Sequence, residues 1–281
     1  MLFTILSVRS RHYDVSVCAL AFMFTHLHSL MKVYRRSEIG RYYSDAISKF
    51  VKELNRSSGR KGRMFGSIDS ASKTNEKSIR EGICYVYNNS VEKKLYGKAI
   101  EDRWNFLAYY NNDHPFSTKL VKREASYAMR KSCRIVDVNF NKGNYLNLAT
   151  LYRIFEKLDK KESEQLIDYI IHKYNFIQYQ ETIRYYGSFE KMCMAIEATA
   201  GKEFDLSEEF DADSEVPIRS MLVEALKEGL IGKEMKIYSL NEAEKDRYAA
   251  LFRKKTQASA KQINKFLHRR PGDVVDNQVN K

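Results

Sequence analysis

A nearly uncharged apolar run covers Val15–Val33, with the sequence VSVCALAFMFTHLHSLMKV. Its β-branched and aromatic residues predict a strand. Because successive side chains of a strand point to opposite faces, His26 and His28 are expected on one face, where their ring nitrogens could converge on one point. The alternative is two unrelated polar residues near a sheet end, each hydrogen-bonded locally. The rest of the chain has to separate these two possibilities.

The composition is that of a folded, basic protein. Apolar residues make up 43% of the 281 positions, which is enough to build sizeable cores. The net charge of +12 favours an anionic partner, with nucleic acid ahead of a membrane surface. Lys32–Arg63 and Lys245–Arg270 are rich in bases, whereas Glu203–Glu215 contains seven acids and no base. Two basic surfaces are therefore expected on either side of an acidic connector.

Four cysteines lie far apart in the sequence, and none belongs to a CxxC pair. This spacing argues against a zinc site and is typical of reduced thiols, so we expect no disulfides and a cytoplasmic location. No stretch approaches the roughly 18 apolar residues that span a bilayer. The first residues, MLFTILSV, lack the charged start and the cleavage site of a signal peptide. No membrane partner is expected.

A basic helix and a basic loop follow the histidines. Apolar residues recur at helical spacing through SEIGRYYSDAISKFVKELNR, with Lys and Arg between them, which predicts an amphipathic helix. The glycines of the next stretch, SSGRKGRMFGS, end this helix and place Arg60, Lys61 and Arg63 on a loop. Such a loop suits contacts with phosphate, so these three residues are expected to bind nucleic acid. An ordinary solvated loop is the alternative.

A second helix is predicted over Asn75–Leu95 from the helical spacing of its apolar residues. Tyr85 and Asn89 lie four residues apart and are therefore neighbours on one helix face. Tyr87 lies only two residues from Asn89 and points elsewhere. The sequence thus predicts a helix that presents a tyrosine and an amide side by side.

The second half of the chain is predicted to be helical. One helix is expected to begin with a capping box formed by Asp159 and Glu162, and another to run from Ser188 to Gly201. The expected segments are, in chain order, a sheet-containing domain (1–116), a connector (117–145), a helical segment (146–202), an acidic linker (203–215), a helix-turn-helix-like segment (216–272) and a flexible tail (273–281).

The helix-turn-helix prediction rests on two short helices, SLNEAEKDRYAALFRKK and SAKQINKFLHRR, separated by TQA. Each opens with a capping-box pattern, Ser239 with Glu242 and Ser259 with Gln262. A basic second helix is typical of a major-groove reader, and an ordinary helical hairpin is the alternative. The residues expected to face outward from it are Lys261, Asn264, Lys265 and Arg269.

An HxH strand, a basic helix, a basic Gly loop and a helix with a YxxxN motif come in this order within about the first ninety residues. This order resembles the single-tyrosine transposases of the HUH (His-hydrophobic-His) endonuclease superfamily, most closely their REP-associated branch. MFTHLHSLM corresponds to that family's M-x-N-H-x-H-x-L, and LNRSSGRKGRMF to its Asn, Arg, Gly and Phe pattern. CYVYNNSVEKKL corresponds to its Y-I-x-x-N-P-V-x-x-G-L. The resemblance covers about Arg11–Tyr110.

The resemblance implies an α+β fold, with an antiparallel sheet and flanking helices of the HUH, ferredoxin-like kind. It implies that His26 and His28 bind Mg²⁺ or Mn²⁺, with Asn89 as the third protein ligand or a nearby polar residue. Tyr85 would attack single-stranded DNA, of a kind that forms hairpins, and become linked to it as a 5′-phosphotyrosine. We expect a monomer or a homodimer, and the helix-turn-helix prediction adds duplex DNA as a partner of the carboxyl-terminal helices.

The sequence departs from the family pattern in three places. Thr25 stands where the family has Asn, and Ser90 where it has Pro. The histidine strand also comes so early that the family's first strand is expected to be missing, which indicates an inactive descendant or a misassigned start.

Two other functions compete with the transposase. In one, the first domain is a relic and the protein binds DNA without catalysis through its carboxyl-terminal helices. In the other, the chain is a basic helical scaffold, which explains the charge but not the ordered motifs. The motifs that contain His26, His28 and Tyr85 favour the nuclease.

Overall fold

The computed structural model describes residues 1–66, 68–201, 215–232 and 236–269, and these divide into two compact units. The first unit comprises the described residues of Met1–Leu54 and Gly62–Phe204, and the second those of Asn55–Lys61 and Asp205–Lys281. The acidic linker and the tail expected from the sequence lie outside the described residues, except for Glu215.

The described chain has an α+β fold, as expected, with a small sheet and many helices. Three short 3₁₀ turns, between residues 99 and 110, link the third and fourth helices. The elements up to residue 201 are α1 (Leu2–Ser10), β1 (Val15–Phe22), β2 (Leu27–Val33), α2 (Ser37–Ser58), α3 (Glu76–Glu92), α4 (Tyr127–Asn141), α5 (Leu148–Phe155), α6 (Lys160–Lys173), α7 (Gln180–Ile183) and α8 (Phe189–Thr199).

The apolar run forms a β-hairpin, so the expectation of a single strand was wrong. β1 pairs antiparallel with β2, with Ala21 opposite His28. The Met23 amide donates to the His26 carbonyl at 2.9 Å and closes the turn. The turn residues, MFTH, include no Gly, Pro, Asn or Asp, so the sequence contains no turn signal there. Within the described residues the sheet has these two strands.

Strand β2 lies between two helices, and its alternating side chains face one or the other. The Tyr43 hydroxyl on α2 donates to Ser29 Oγ at 2.7 Å. The next residue, Leu30, faces α3, where a Cβ on Gly82 would lie 3.6 Å from its Cδ1. Because side chains alternate along a strand, His28 lies on the same side as Leu30. The histidine therefore faces helix α3.

Helix α4 fills the region expected to be a connector, so that expectation was also wrong. Its buried residues Met129, Cys133 and Val136 recur at helical spacing. The Ser132 hydroxyl donates to the Ile154 carbonyl of α5 at 2.7 Å. One hydrophobic core joins the sheet, α3 and the helices that follow, so no separate helical segment begins at residue 146.

The two helix starts predicted in this region are confirmed as helix caps. The Asp159 carboxylate accepts the Glu162 amide at 2.7 Å, but Glu162 does not complete a capping box, because its carboxylate accepts from the amide and hydroxyl of Ser126 instead. Ser188 caps α8, and the chain turns with a positive φ of 77° at Gly201.

The described residues of Asp205–Lys281 in the second unit form three α-helices around a core of their own. The Ser259 and Gln262 capping box is confirmed, whereas the upstream helix is capped by Asn241 with Glu244, and not by Ser239 with Glu242. Ser239 instead donates its hydroxyl to the Lys236 carbonyl at 3.0 Å. The elements are α9 (Glu215–Lys227), a 3₁₀ turn (Lys236–Tyr238), α10 (Glu242–Lys255) and α11 (Ala260–Phe266).

Candidate active site

The two histidines of the hairpin lie against each other. His26 ends the turn and His28 lies in β2, and their ring centroids are 4.6 Å apart at an interplanar angle of 85°. The Nε2 atoms of both rings are buried. The hairpin thus brings together the two imidazoles that the sequence places one residue apart.

Helix α3 places Tyr85 beside this pair. The His28 and Tyr85 ring centroids are 5.0 Å apart, in an edge-on arrangement. Gly82, Tyr85 and Asn89 share the face of α3 that packs on β2, because residues three, four and seven apart lie on one side of a helix. A Cβ at Gly82 would lie 3.6 Å from Leu30 Cδ1, an ordinary van der Waals distance. Two histidines and one tyrosine therefore form a cluster of aromatic rings.

Asn89 lies one helical turn after Tyr85 and is almost completely buried, with 1% of its surface exposed. Its Oδ1 atom is buried and has no hydrogen-bond partner among the described residues. A buried amide oxygen without a partner is costly, and such atoms deserve a specific explanation. An oxygen of this kind is available to bind a cation.

Tyr87, the other candidate nucleophile, lies on a different face of α3. It is fully buried in the core, whereas Tyr85 is half-buried beside the histidines. Burial raises the pKa of Tyr87 well above its usual value, because the phenolate would lose its hydration. Of these two tyrosines, Tyr85 alone combines partial exposure with contact to an imidazole ring.

Three side chains could bind a divalent cation at this site, namely the two imidazoles and the amide of Asn89. In the part of the chain that the structure describes, no three His, Cys, Asp or Glu side chains are grouped as a metal site. His26, His28 and Asn89 would supply two nitrogens and one neutral oxygen, which leaves positions for phosphate oxygens and water. The partnerless Oδ1 of Asn89 supports this fit.

The three loop cations expected to bind nucleic acid have different surroundings. Helix α2 ends at Ser58, as the glycines indicate. Within the second unit, Arg60 donates to Asn55 Oδ1 at 3.2 Å, and its guanidinium lies over the Tyr238 ring at 5.6 Å. Lys61 and Arg63 are exposed. Arg60 is therefore the most buried of the three.

The carboxyl-terminal residues expected to face outward also differ in their exposure to solvent. Lys261 and Lys265 are exposed and Asn264 is half-buried. Arg269 contradicts the expectation, since only 9% of its side chain is exposed and its guanidinium lies 2.5 Å from Asp246 on α10. Arg269 follows α11, and its side chain is long enough to reach back to the acidic start of α10. The helical pattern of α11 does not reveal this contact.

Thr25 belongs to the site, although the sequence marked it only as a departure from the family pattern. Its Oγ1 lies 2.8 Å from His26 Nδ1. A hydroxyl next to a histidine in sequence was the available signal, but only the turn geometry brings these two atoms together.

No family model, curated protein or solved structure matches this chain. Among the described residues, no helix is both long and apolar enough to cross a membrane.

Proposed function

We propose that the first unit is a metal-dependent nuclease and transposase that cleaves and rejoins single-stranded DNA, with Tyr85 as the nucleophile. The observation that supports this proposal is the arrangement of Tyr85, His28 and His26, with successive ring centroids 5.0 Å and 4.6 Å apart. The buried, partnerless amide oxygen of Asn89, one helical turn after Tyr85, adds a third donor. A fold of the HUH kind and membership of the REP-associated branch are proposed on the order of the motifs.

The proposed reaction exchanges one phosphodiester for another. The Tyr85 oxygen attacks the phosphorus, the phenol loses its proton, and the bond from phosphorus to the 3′ oxygen breaks. The products are a 5′-phosphotyrosine and a 3′-hydroxyl, and the reverse reaction rejoins a strand without a nucleotide cofactor. A Mg²⁺ or Mn²⁺ ion, when bound, would neutralise charge on the phosphoryl oxygens. The side chains of His26, His28 and Asn89 would hold that ion beside the tyrosine.

The proposed partner is single-stranded DNA that contains a hairpin. The excess of basic residues supports an anionic partner, and exposed Lys61 and Arg63 are the loop residues best placed to meet phosphate. We propose a monomer or a homodimer in the cytoplasm, where the four free cysteines would stay reduced.

The test compares two tyrosine variants. Incubation of the protein with labelled single-stranded DNA and Mn²⁺ is expected to give a covalent adduct that resists denaturation. Tyr85→Phe should abolish the adduct, because the attacking oxygen is lost. Tyr87→Phe is the matched control and should retain it, because that hydroxyl is buried in the core. An adduct in Tyr85→Phe, or nucleotide found on Tyr87 by mass spectrometry, would contradict the assignment.

The second candidate function is DNA binding without catalysis, through a helix-turn-helix in the second unit. Its support is the short connection between α10 and α11, and the exposed Lys261 and Lys265 on α11. Binding of duplex DNA with no adduct on any single strand, in the presence of Mn²⁺ or Mg²⁺, would favour this function over the first.

A further inference from the structure

A hydroxyl touches the ring of one candidate metal ligand. Thr25 Oγ1 lies 2.8 Å from His26 Nδ1, which is hydrogen-bond distance. The contact occurs inside the hairpin turn, where Thr25 is half-buried. The other ring nitrogen of His26, Nε2, is buried in the side-chain cluster that includes the His28 ring.

The direction of this hydrogen bond decides which nitrogen can bind a metal. A neutral imidazole carries one proton, so a ring that donates from Nδ1 has a free electron pair on Nε2. If the threonine hydroxyl donated to Nδ1 instead, Nε2 would carry the proton and could not be a ligand. The partner of the second ring nitrogen commonly fixes the tautomer of a metal-binding histidine.

We propose that Thr25 is a positioning residue for the metal site: its Oγ1 accepts the Nδ1 proton of His26 and so presents Nε2, with its electron pair, towards the space shared with His28 and Tyr85. This inference rests on the proposed function. It assigns a role to the position where the sequence departs from the family's Asn, and it requires only that an oxygen acceptor is kept there.

The tautomer can be measured directly in the metal-free protein. Long-range proton–nitrogen correlation spectra of ¹⁵N-histidine-labelled protein, at about pH 8.5 where imidazoles are neutral, identify the protonated nitrogen. The His26 signals are assigned from a His26→Ala spectrum. Wild type is expected to carry the proton on Nδ1, and Thr25→Val, which has the same shape without the hydroxyl, should shift it towards Nε2. Thr25→Ser should behave as wild type. An Nε2 proton in wild type, or no change in Thr25→Val, would overturn the proposal.

Metal binding gives a second measurement that does not depend on cleavage. Titration with Mn²⁺, followed by electron paramagnetic resonance, should show Thr25→Val about 10- to 100-fold weaker than wild type, with Thr25→Ser restored. Equal affinity of Thr25→Val and wild type, while His26→Ala is weaker, would overturn the role of Thr25 and leave the metal site standing. No difference between wild type and His26→Ala would overturn the metal site itself, and the tautomer spectra would still decide what Thr25 does.

Discussion

Asn88 and Asn89 are adjacent on α3 and equally buried, and the Oδ1 atoms of both lack a hydrogen-bond partner among the described residues. The Asn88 amide donates to the Ile196 carbonyl at 2.7 Å and to Thr199 Oγ1 at 3.2 Å, so it ties α3 to α8. Burial of each unpaired oxygen costs free energy, and at Asn88 the two hydrogen bonds donated to α8 offset that cost.

This contrast predicts opposite effects of one substitution at the two positions. Asn88→Leu should lower the free energy of unfolding by about 1–3 kcal/mol, because both hydrogen bonds from α3 to α8 are lost, and should still form the DNA adduct. Asn89→Leu should leave that free energy unchanged or raise it, and should abolish Mn²⁺ binding and the adduct. Chemical denaturation and the adduct assay measure both. Normal Mn²⁺ affinity in Asn89→Leu would remove Asn89 from the site.

At the residue scale, the sequence predicted which residues are neighbours where that follows from the repeat of a helix or a strand. The i to i+4 relation of Tyr85 and Asn89 needed only helix α3 to form. The contacts of Arg60 with Tyr238 and of Arg269 with Asp246 join residues far apart or in different elements. Such pairings depend on how elements pack, and a long basic side chain can reach many partners. The sequence therefore could not indicate which residue each arginine contacts.

At the element scale, the placement of Tyr85 depends on how closely α3 approaches β2. Gly82 lies at the contact, where a Cβ would meet Leu30 Cδ1 and Lys73 Cε at ordinary van der Waals distances of 3.6 Å. A methyl group therefore fits, and a larger side chain would have to displace Leu30 or Lys73. The contact offers a graded test of whether this packing positions the tyrosine.

Gly82→Ala should raise the free energy of unfolding by about 0.5–1 kcal/mol, because alanine favours a helix interior over glycine. The adduct should form at the wild-type rate. Gly82→Leu should overfill the contact, lower the free energy of unfolding by about 1–3 kcal/mol, and slow adduct formation by moving Tyr85 away from His28. Thermal unfolding and adduct kinetics measure these effects. A fast adduct in Gly82→Leu would show that the helix contact does not control the tyrosine.

Elements with strong periodic patterns were predicted, and those with weak signals were not. Helices α2 and α3 follow from apolar spacing and from the glycines and polar residues at their ends. The hairpin turn was missed because its sequence, MFTH, has no turn residue. Helix α10 was assigned the wrong cap because Ser239 and Asn241 both fit the capping pattern, and the 3₁₀ turn before them decides between the two.

At the scale of the whole molecule, the proposed nuclease and the proposed duplex-binding helices belong to different units. The described residues of the first unit contain His26, His28 and Tyr85, and those of the second contain the exposed Lys261 and Lys265 of α11. Phosphate contacts give affinity that depends on salt, and base contacts give sequence preference. If α11 reads duplex DNA, loss of its charges should weaken duplex binding while the chemistry on a short single strand continues.

The full-length double variant Lys261→Gln and Lys265→Gln should therefore bind duplex DNA more weakly and lose up to about 2 units of salt-dependence slope, one for each phosphate contact. Its Tyr85 adduct with a short single strand should form as in wild type. Lys160→Gln with Lys161→Gln, at the exposed start of α6, is the matched control, because it removes the same net charge from the first unit. Fluorescence anisotropy over a salt series measures the slope. Equal losses in the two variants would show that net charge, and not the α11 surface, determines duplex affinity, and the helix-turn-helix proposal would then fail.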